Sequence, residues 1–222
     1  RALDAARTAG AMATHRPTTT FMVPAHLQLL FALDELPSLQ HLRLLAHAGS
    51  SCPDPLKRVA IEAVGAERLW EFYGSTEGQF SVASAVEWLE RPGTVGRARE
   101  GRTLSVDPDG TVWCEVPSWG RFDYWRSPAH TASAWRPATQ DPSAWGAFTV
   151  RDLGRLDDDG YLFLSDRAKD LVIRGGENIY PAEIERVALL HPAIADAVVV
   201  RRKDVKWGEV PVLVAVARQE PP

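Results

Sequence analysis

In the first third of the chain, short apolar runs alternate with stretches of helical spacing. Thr18-Thr-Thr-Phe-Met-Val23 predicts a strand, and Pro24 suits the first turn of a helix carrying Leu27, Leu30 and Phe31 on one face. His41 to Ala48 predicts a second, buried strand closed by Gly49-Ser50-Ser51. Pro53-Asp54-Pro55 then opens a helix to Val64, and Arg68 to Tyr73 predicts a third strand. Repeated strand–helix–strand order implies a parallel sheet, whose ligands gather outside the carboxyl ends of its strands.

From Phe80 the texture changes. Gly93 to Arg97, Arg102 to Val106 and Gly110 to Val116 are short β-rich pieces between Gly, Pro and Asp turns, the pattern of a small barrel or twisted antiparallel sheet. Pro128 to Trp135 predicts a short helix, Pro137 to Gly146 a polar loop, and Phe148 to Val150 a hairpin with Tyr161 to Leu164 across the Asp157–Gly160 turn. Pro181 to Leu190 predicts a helix with carboxylates in its first turn and Ile184, Val187 and Ala188 on one face, followed by strands at Val198–Val200 and Val210–Val216. The predicted class is α/β. A partial large domain over residues 1–168, a parallel sheet with helices plus a small β-barrel-like subdomain, leads into the start of a small α+β domain over 169–222.

With 45% hydrophobic residues in 222, the chain can bury a sizeable core. Its 25 basic and 29 acidic residues nearly cancel, so a net charge of −4 gives no electrostatic case for nucleic acid or an anionic membrane. Cys52 and Cys114 lie far apart, outside any metal-ligand spacing, which suits reduced thiols and a cytoplasmic setting. No apolar stretch reaches membrane-spanning length. Arg1 in place of an initiator Met, and a stop directly after a strand-like run, suggest a piece of something longer.

The chemistry concentrates in two runs. Tyr73-Gly74-Ser75-Thr76-Glu77-Gly78 sets a ring, a hydroxyl and a carboxylate within five residues. Arg167-Ala168-Lys169-Asp170 supplies cations ahead of Arg174-Gly175-Gly176-Glu177-Asn178, a glycine turn before a helix, with Asp152-Leu153-Gly154 between the two runs. Taken singly, each has an ordinary structural reading: a core aromatic for Tyr73, a capped turn for Ser75 to Gly78, a turn residue for Asp152, a solvated charge cluster for Arg167 and Lys169.

Together, and with Phe21-Met-Val-Pro24, His47-Ala-Gly-Ser-Ser-Cys-Pro53, Pro92-Gly-Thr-Val-Gly96 and Trp207-Gly-Glu209, these runs resemble the ANL superfamily of adenylate-forming enzymes, and within it the fatty-acyl-CoA synthetases. The resemblance covers essentially the whole chain. It implies activation of a carboxylic acid by ATP to an acyl adenylate, with Mg²⁺, followed by acyl transfer from AMP to coenzyme A. By resemblance Gly49, Ser50, Ser51, Tyr73, Gly74, Thr76, Asp152 and Arg167 contact the nucleotide. Thr76 would donate to the α-phosphate, and Glu77 would hold Mg²⁺. Lys169 would be the hinge of the small domain, and Gly175, Gly176 and Glu177 would line the coenzyme A channel. Val23, Ala25, His47 and Gly74 would line the acyl pocket.

This sequence departs from the pattern at Arg151, where the residue before the ribose-binding aspartate is normally small. The family's phosphate loop and late C-terminal lysine have no counterpart here, so the isolated chain is expected to be nearly inactive. Open sheet edges predict poor solubility or a homodimer. Two kinds of alternative stay open: an aromatic-acid:CoA ligase, a fatty acyl-AMP ligase or a peptide-synthetase adenylation domain, and a non-catalytic nucleotide-binding or interaction module.

Overall fold

The computed structural model describes residues 3–167 and 170–218. Two compact units emerge, the first comprising residues 1–104, 114–148 and 156–163, the second 105–113, 149–155 and 164–222. Lys169, the expected hinge, lies outside the described residues, as does the side chain of Arg167.

In the first unit, α1 (Ala5–His15), β1 (Thr19–Met22), α2 (Pro24–Phe31), β2 (Leu44–His47), α3 (Asp54–Val64) and β3 (Leu69–Gly74) deliver the expected strand–helix alternation. Then come β4 (Gln79–Ser84), α4 (Ala85–Glu90) and β5 (Arg97–Ala98), giving a five-stranded sheet of order β1-β2-β3-β4-β5. The first three strands are parallel, in the register Thr19↔Leu44 and Leu45↔Leu69. β4 runs antiparallel to β3, because residues 75–78 are too short a link to carry a crossover.

Leu27 and Leu30 of α2, Ala60 and Val64 of α3, and Leu45 and Leu69 of the sheet are all fully buried in one cluster. Burying each of these leucine side chains contributes about 2 kcal/mol. Two helices escaped the sequence reading. In α1 the Asp4 carboxylate caps the Arg7 N–H and the helix docks Ala9 and Met12 into the same cluster. In α4 Ser84 and Glu87 cap each other reciprocally, a signature legible in the sequence but overlooked between short strands.

β6 (Thr103–Val106), β7 (Val112–Val116), α5 (Pro128–Ala134), β8 (Trp135–Arg136) and β9 (Gly146–Phe148) follow, and the barrel-like piece is a four-stranded sheet of order β6-β7-β9-β8. The expected hairpin is corrected. Phe148 does not pair across the Asp157–Gly160 turn; it pairs with Cys114 and Trp135, and the hairpin consists of β10 (Asp152–Leu156) and β11 (Leu162–Arg167). The reason is burial plus a break. Ala147 and Phe148 are fully enclosed, and Arg151 then takes a left-handed φ of 63°, which ends one strand before the next begins.

The second unit contains β12 (Val172–Arg174), β13 (Glu177–Ile179), α6 (Pro181–Ala188), β14 (Ile194–Asp204) and β15 (Gly208–Ala217), with sheet order β13-β12-β15-β14. The strands expected at 198–200 and 210–216 are the middles of one long antiparallel ribbon, with Val198 opposite Val214. No helix among the described residues is long and apolar enough to cross a membrane.

Candidate nucleotide site

Strand register assembles the site in the first unit. Met22 pairs with His47 and His47 with Glu71, so β1 and β2 end level with each other while β3 runs on three residues to Gly74 and carries Tyr73 past them. The chain leaves those ends through Val23, through Ala48–Ser51 and through Tyr73–Gly78. Gly49 has φ 94°, and a β-carbon there would stand 3.3 Å from Val23 Cγ1, so glycine both permits the turn and lets the two loops approach. Ser50 and Ser51 are exposed.

The run 73–78 is the tip of the β3–β4 hairpin. Ser75 N–H donates to the Gly78 carbonyl at 2.9 Å and Gly78 N–H returns to the Ser75 carbonyl at 3.2 Å, closing a tight turn with a register shift between Tyr73 and Gly74. Gly74 is obligatory here, since a β-carbon would lie 2.6 Å from the Gly78 oxygen and 2.6 Å from Gln79 Cα. Gly78 faces Phe148, whose Cζ would be 3.0 Å from an added β-carbon. The turn is therefore seated on the buried aromatic group of β9.

Tyr73 is 9% exposed and tilts against Phe80 at 5.1 Å between centroids; Phe80 tilts against Phe148 at 4.9 Å. It thus packs at one end of the Tyr73–Phe80–Phe148 series of rings, one residue before the end of β3. Thr76 projects into solvent. Glu77 is partly covered and its Oε1 accepts a hydrogen bond from the Tyr124 hydroxyl at 2.8 Å. Partial burial pushes its carboxyl up, but hydrogen bonds from Ser75 and Tyr124 and its own backbone outweigh that and hold it below the ordinary 4.5. An ionised, oxygen-only, part-exposed donor beside the exposed side chain of Thr76 fits a hard divalent cation.

Sequence reading missed Tyr124 and His130. His130 stacks flat on Tyr124, 3.9 Å between centroids and 10° between planes. Tyr124 lies 47 positions from Glu77 in a loop of mixed polarity, and nothing local marks it.

Of the expected acyl-pocket residues, Val23, Ala25 and Gly74 lie at this loop cluster, and His47 does not line an open space. His47 is wholly enclosed on the face of β2 that packs against α3; its Nδ1 is 3.9 Å from Glu71 Oε1, and Lys57 of α3 bonds the other Glu71 oxygen. Alternation explains this, because residues 45, 47, 69 and 71 share the helix-covered face of the sheet. Burial, then the Lys57 charge, pushes the His47 pKa down to about 3, so the ring is neutral.

Asp152 and the glycine turn belong to the second unit. Asp152, 8% exposed, opens β10 immediately after the left-handed Arg151, whose N–H donates to Thr149 Oγ1 at 2.9 Å. Gly175 and Gly176, with φ 59° and 92°, form the tight turn of the β12–β13 hairpin, and Glu177 is exposed just after it.

The Tyr73-Gly-Ser-Thr-Glu77 run at the end of β3 carries the resemblance to adenylate-forming enzymes. Comparison with known proteins bears this out: residues 1–116 match the AMP-binding enzyme family and residues 183–222 match the C-terminal domain of AMP-binding enzymes. The chain belongs to that family, within the ANL superfamily of adenylate-forming enzymes.

A curated relative, 2-succinylbenzoate–CoA ligase of Bacillus cereus (strain ATCC 10987 / NRS 248), is 36% identical over 184 residues, covering 81% of this chain and 37% of that protein. The Bacillus anthracis (strain A0248) enzyme of the same name is 35% identical over 183 residues, 80% of this chain and 37% of that protein. The solved o-succinylbenzoate CoA synthetase of Bacillus subtilis with its acyl-adenylate intermediate superposes with a TM-score of 0.80 at 27% identity, over 99% of this chain and 45% of that one. The amide bond synthetase McbA of Marinactinospora thermotolerans gives 0.84 at 26% identity, over 99% and 46%. The chain thus spans under two fifths of the length of these curated relatives.

Proposed function

We propose that this chain is the nucleotide-handling part of an acid–CoA ligase, which joins a carboxylic acid to ATP as an acyl adenylate and passes the acyl group to coenzyme A. The observation that carries the reading is the β3–β4 turn. It sets Tyr73, Thr76 and Glu77 at the carboxyl end of a parallel sheet, level with the glycine turn after β2. Ser50 and Ser51 with Gly49 would border the adenine, Tyr73 would face it, and the Thr76 hydroxyl would donate to the α-phosphate. Magnesium held at Glu77 would offset the phosphate charge. Asp152 would accept from the ribose hydroxyls and Arg167 would reach the nucleotide. Residues 1–168 and 169–222 would act as separate domains about a hinge at Lys169, with Gly175 to Glu177 lining the thiol channel.

For the acid, relatives named as 2-succinylbenzoate–CoA ligases support the aromatic-acid class over the fatty acids that the motifs suggested. In this chain Val23, Ala25 and Gly74 would border the acid, while His47 serves the sheet interior. Calorimetric titration with AMP and with a non-hydrolysable succinylbenzoyl adenylate tests the reading. The expected result is tighter adenylate than AMP binding, lost in Thr76→Val and Asp152→Asn; no binding of either ligand refutes it.

A second reading, a nucleotide-binding module without turnover, is favoured by Arg151, a long cation directly beside Asp152. Acyl-CoA formation by the protein in which this chain resides, from ATP, coenzyme A and succinylbenzoate, excludes it.

A further inference from the structure

Glu77 is fixed by a side chain that arrives from far along the chain. Tyr124 reaches Glu77 Oε1 with its hydroxyl at 2.8 Å, while its own backbone N–H donates to Thr131 Oγ1 at 2.9 Å in α5. Thr131 Oγ1 in turn donates to the Ser127 carbonyl at 3.2 Å. Phe122 meets the Tyr124 ring edge-on at 5.3 Å, and His130 covers it by flat stacking. The phenol cannot turn away without breaking two ring contacts, and its main chain is tied separately to α5.

We propose that Tyr124 is a positioning residue for Glu77, fixing one carboxylate oxygen so that the other is presented to the divalent cation that accompanies the nucleotide, with His130 stiffening the phenol. This rests on the reading of Glu77 as a magnesium ligand. A carboxylate at the tip of an exposed turn otherwise samples several rotamers, and a cation must order it on binding. Groups that hydrogen-bond to metal ligands are typically worth ten- to a hundredfold in metal affinity. The role is separate from packing, because phenylalanine would keep the ring contacts with Phe122 and His130 and remove the hydroxyl alone.

The test compares binding of α,β-methylene-ATP to the chain in EDTA and in saturating Mn²⁺, the ratio of the two dissociation constants measuring the metal-dependent gain. Tyr124→Phe should cut that gain by roughly tenfold or more while leaving the affinity in EDTA unchanged. A purely structural residue would weaken both. His130→Ala, at an exposed position, should cut the gain by a smaller factor than Tyr124→Phe does, and provides a second reading should the first variant fold poorly. Glu77→Gln separates the two levels. If the unmodified chain shows no metal-dependent gain, or Glu77→Gln keeps it, the metal reading of Glu77 fails and the proposal with it. If Glu77→Gln loses the gain while Tyr124→Phe and His130→Ala retain it, the metal reading stands and the role of Tyr124 is overturned.

Discussion

The Lys57–Glu71 pair offers a sharp test of how the sheet under the site is held. Lys57 and Glu71 are 1% and 7% exposed, and the lysine bonds Glu71 Oε2 between α3 and β3, two residues before Tyr73. The Lys57 ammonium also lies 4.9 Å from the centre of the Trp88 ring. Lys57→Met leaves a carboxylate buried without its cation and should cost about 3–5 kcal/mol. Glu71→Leu leaves an ammonium that retains the ring, an interaction worth about 2 kcal/mol when desolvated, so its cost should be lower by a similar amount.

The double variant Lys57→Met/Glu71→Leu buries no charge and should be near neutral or slightly stabilising, because the pair's attraction barely offsets its desolvation. Urea unfolding of the four proteins, with slopes compared, reads the cycle. Additive losses, with the double variant losing the sum of the singles, would refute the argument. So would singles that each cost only about 0.5 kcal/mol, as at an exposed pair.

Arg151→Gly should stabilise the chain by up to about 1 kcal/mol, since a left-handed L-residue costs about 1–2 kcal/mol and glycine's extra chain entropy returns part of that; a lower urea midpoint would contradict it. His47 gives a pH signature. The unfolded chain takes up a proton near 6.5 that the folded one refuses until about 3, so its contribution is complete above 6.5 and falls by about 1.4 kcal/mol per unit as pH drops. His47→Leu should flatten that limb in unfolding measured from pH 7 to 4. Glu115 accepts backbone N–H groups of Thr139, Gln140 and Asp141 at 2.7, 2.9 and 2.7 Å; burial opposes ionisation, but these bonds hold its carboxyl below 4.5. Its contribution is thus present above 4.5 and lost below, and Glu115→Gln should cost about 3 kcal/mol at pH 7 and expose the 137–145 loop to protease.

Legible in the residues alone were the strand–helix alternation of residues 18–74, the turns at Gly49 and at Gly175–Gly176, and the run that places Tyr73, Thr76 and Glu77 at a strand end. These are local matters: hydrophobic period, proline position and the backbone freedom of glycine are written residue by residue. Packing between distant parts of the chain set the rest. Phe148 entered a sheet with Cys114 and Trp135 instead of a hairpin because enclosure of its ring outweighed the nearby turn. His47 turned to Glu71 and Lys57, since the side of a sheet a residue faces is fixed by the register of its neighbours. Tyr124 became a partner of Glu77 only when two segments 47 residues apart folded onto the same end of the sheet. A one-dimensional pattern specifies period and turn chemistry, whereas hydrogen bonds between remote side chains exist only once packing has brought them within reach.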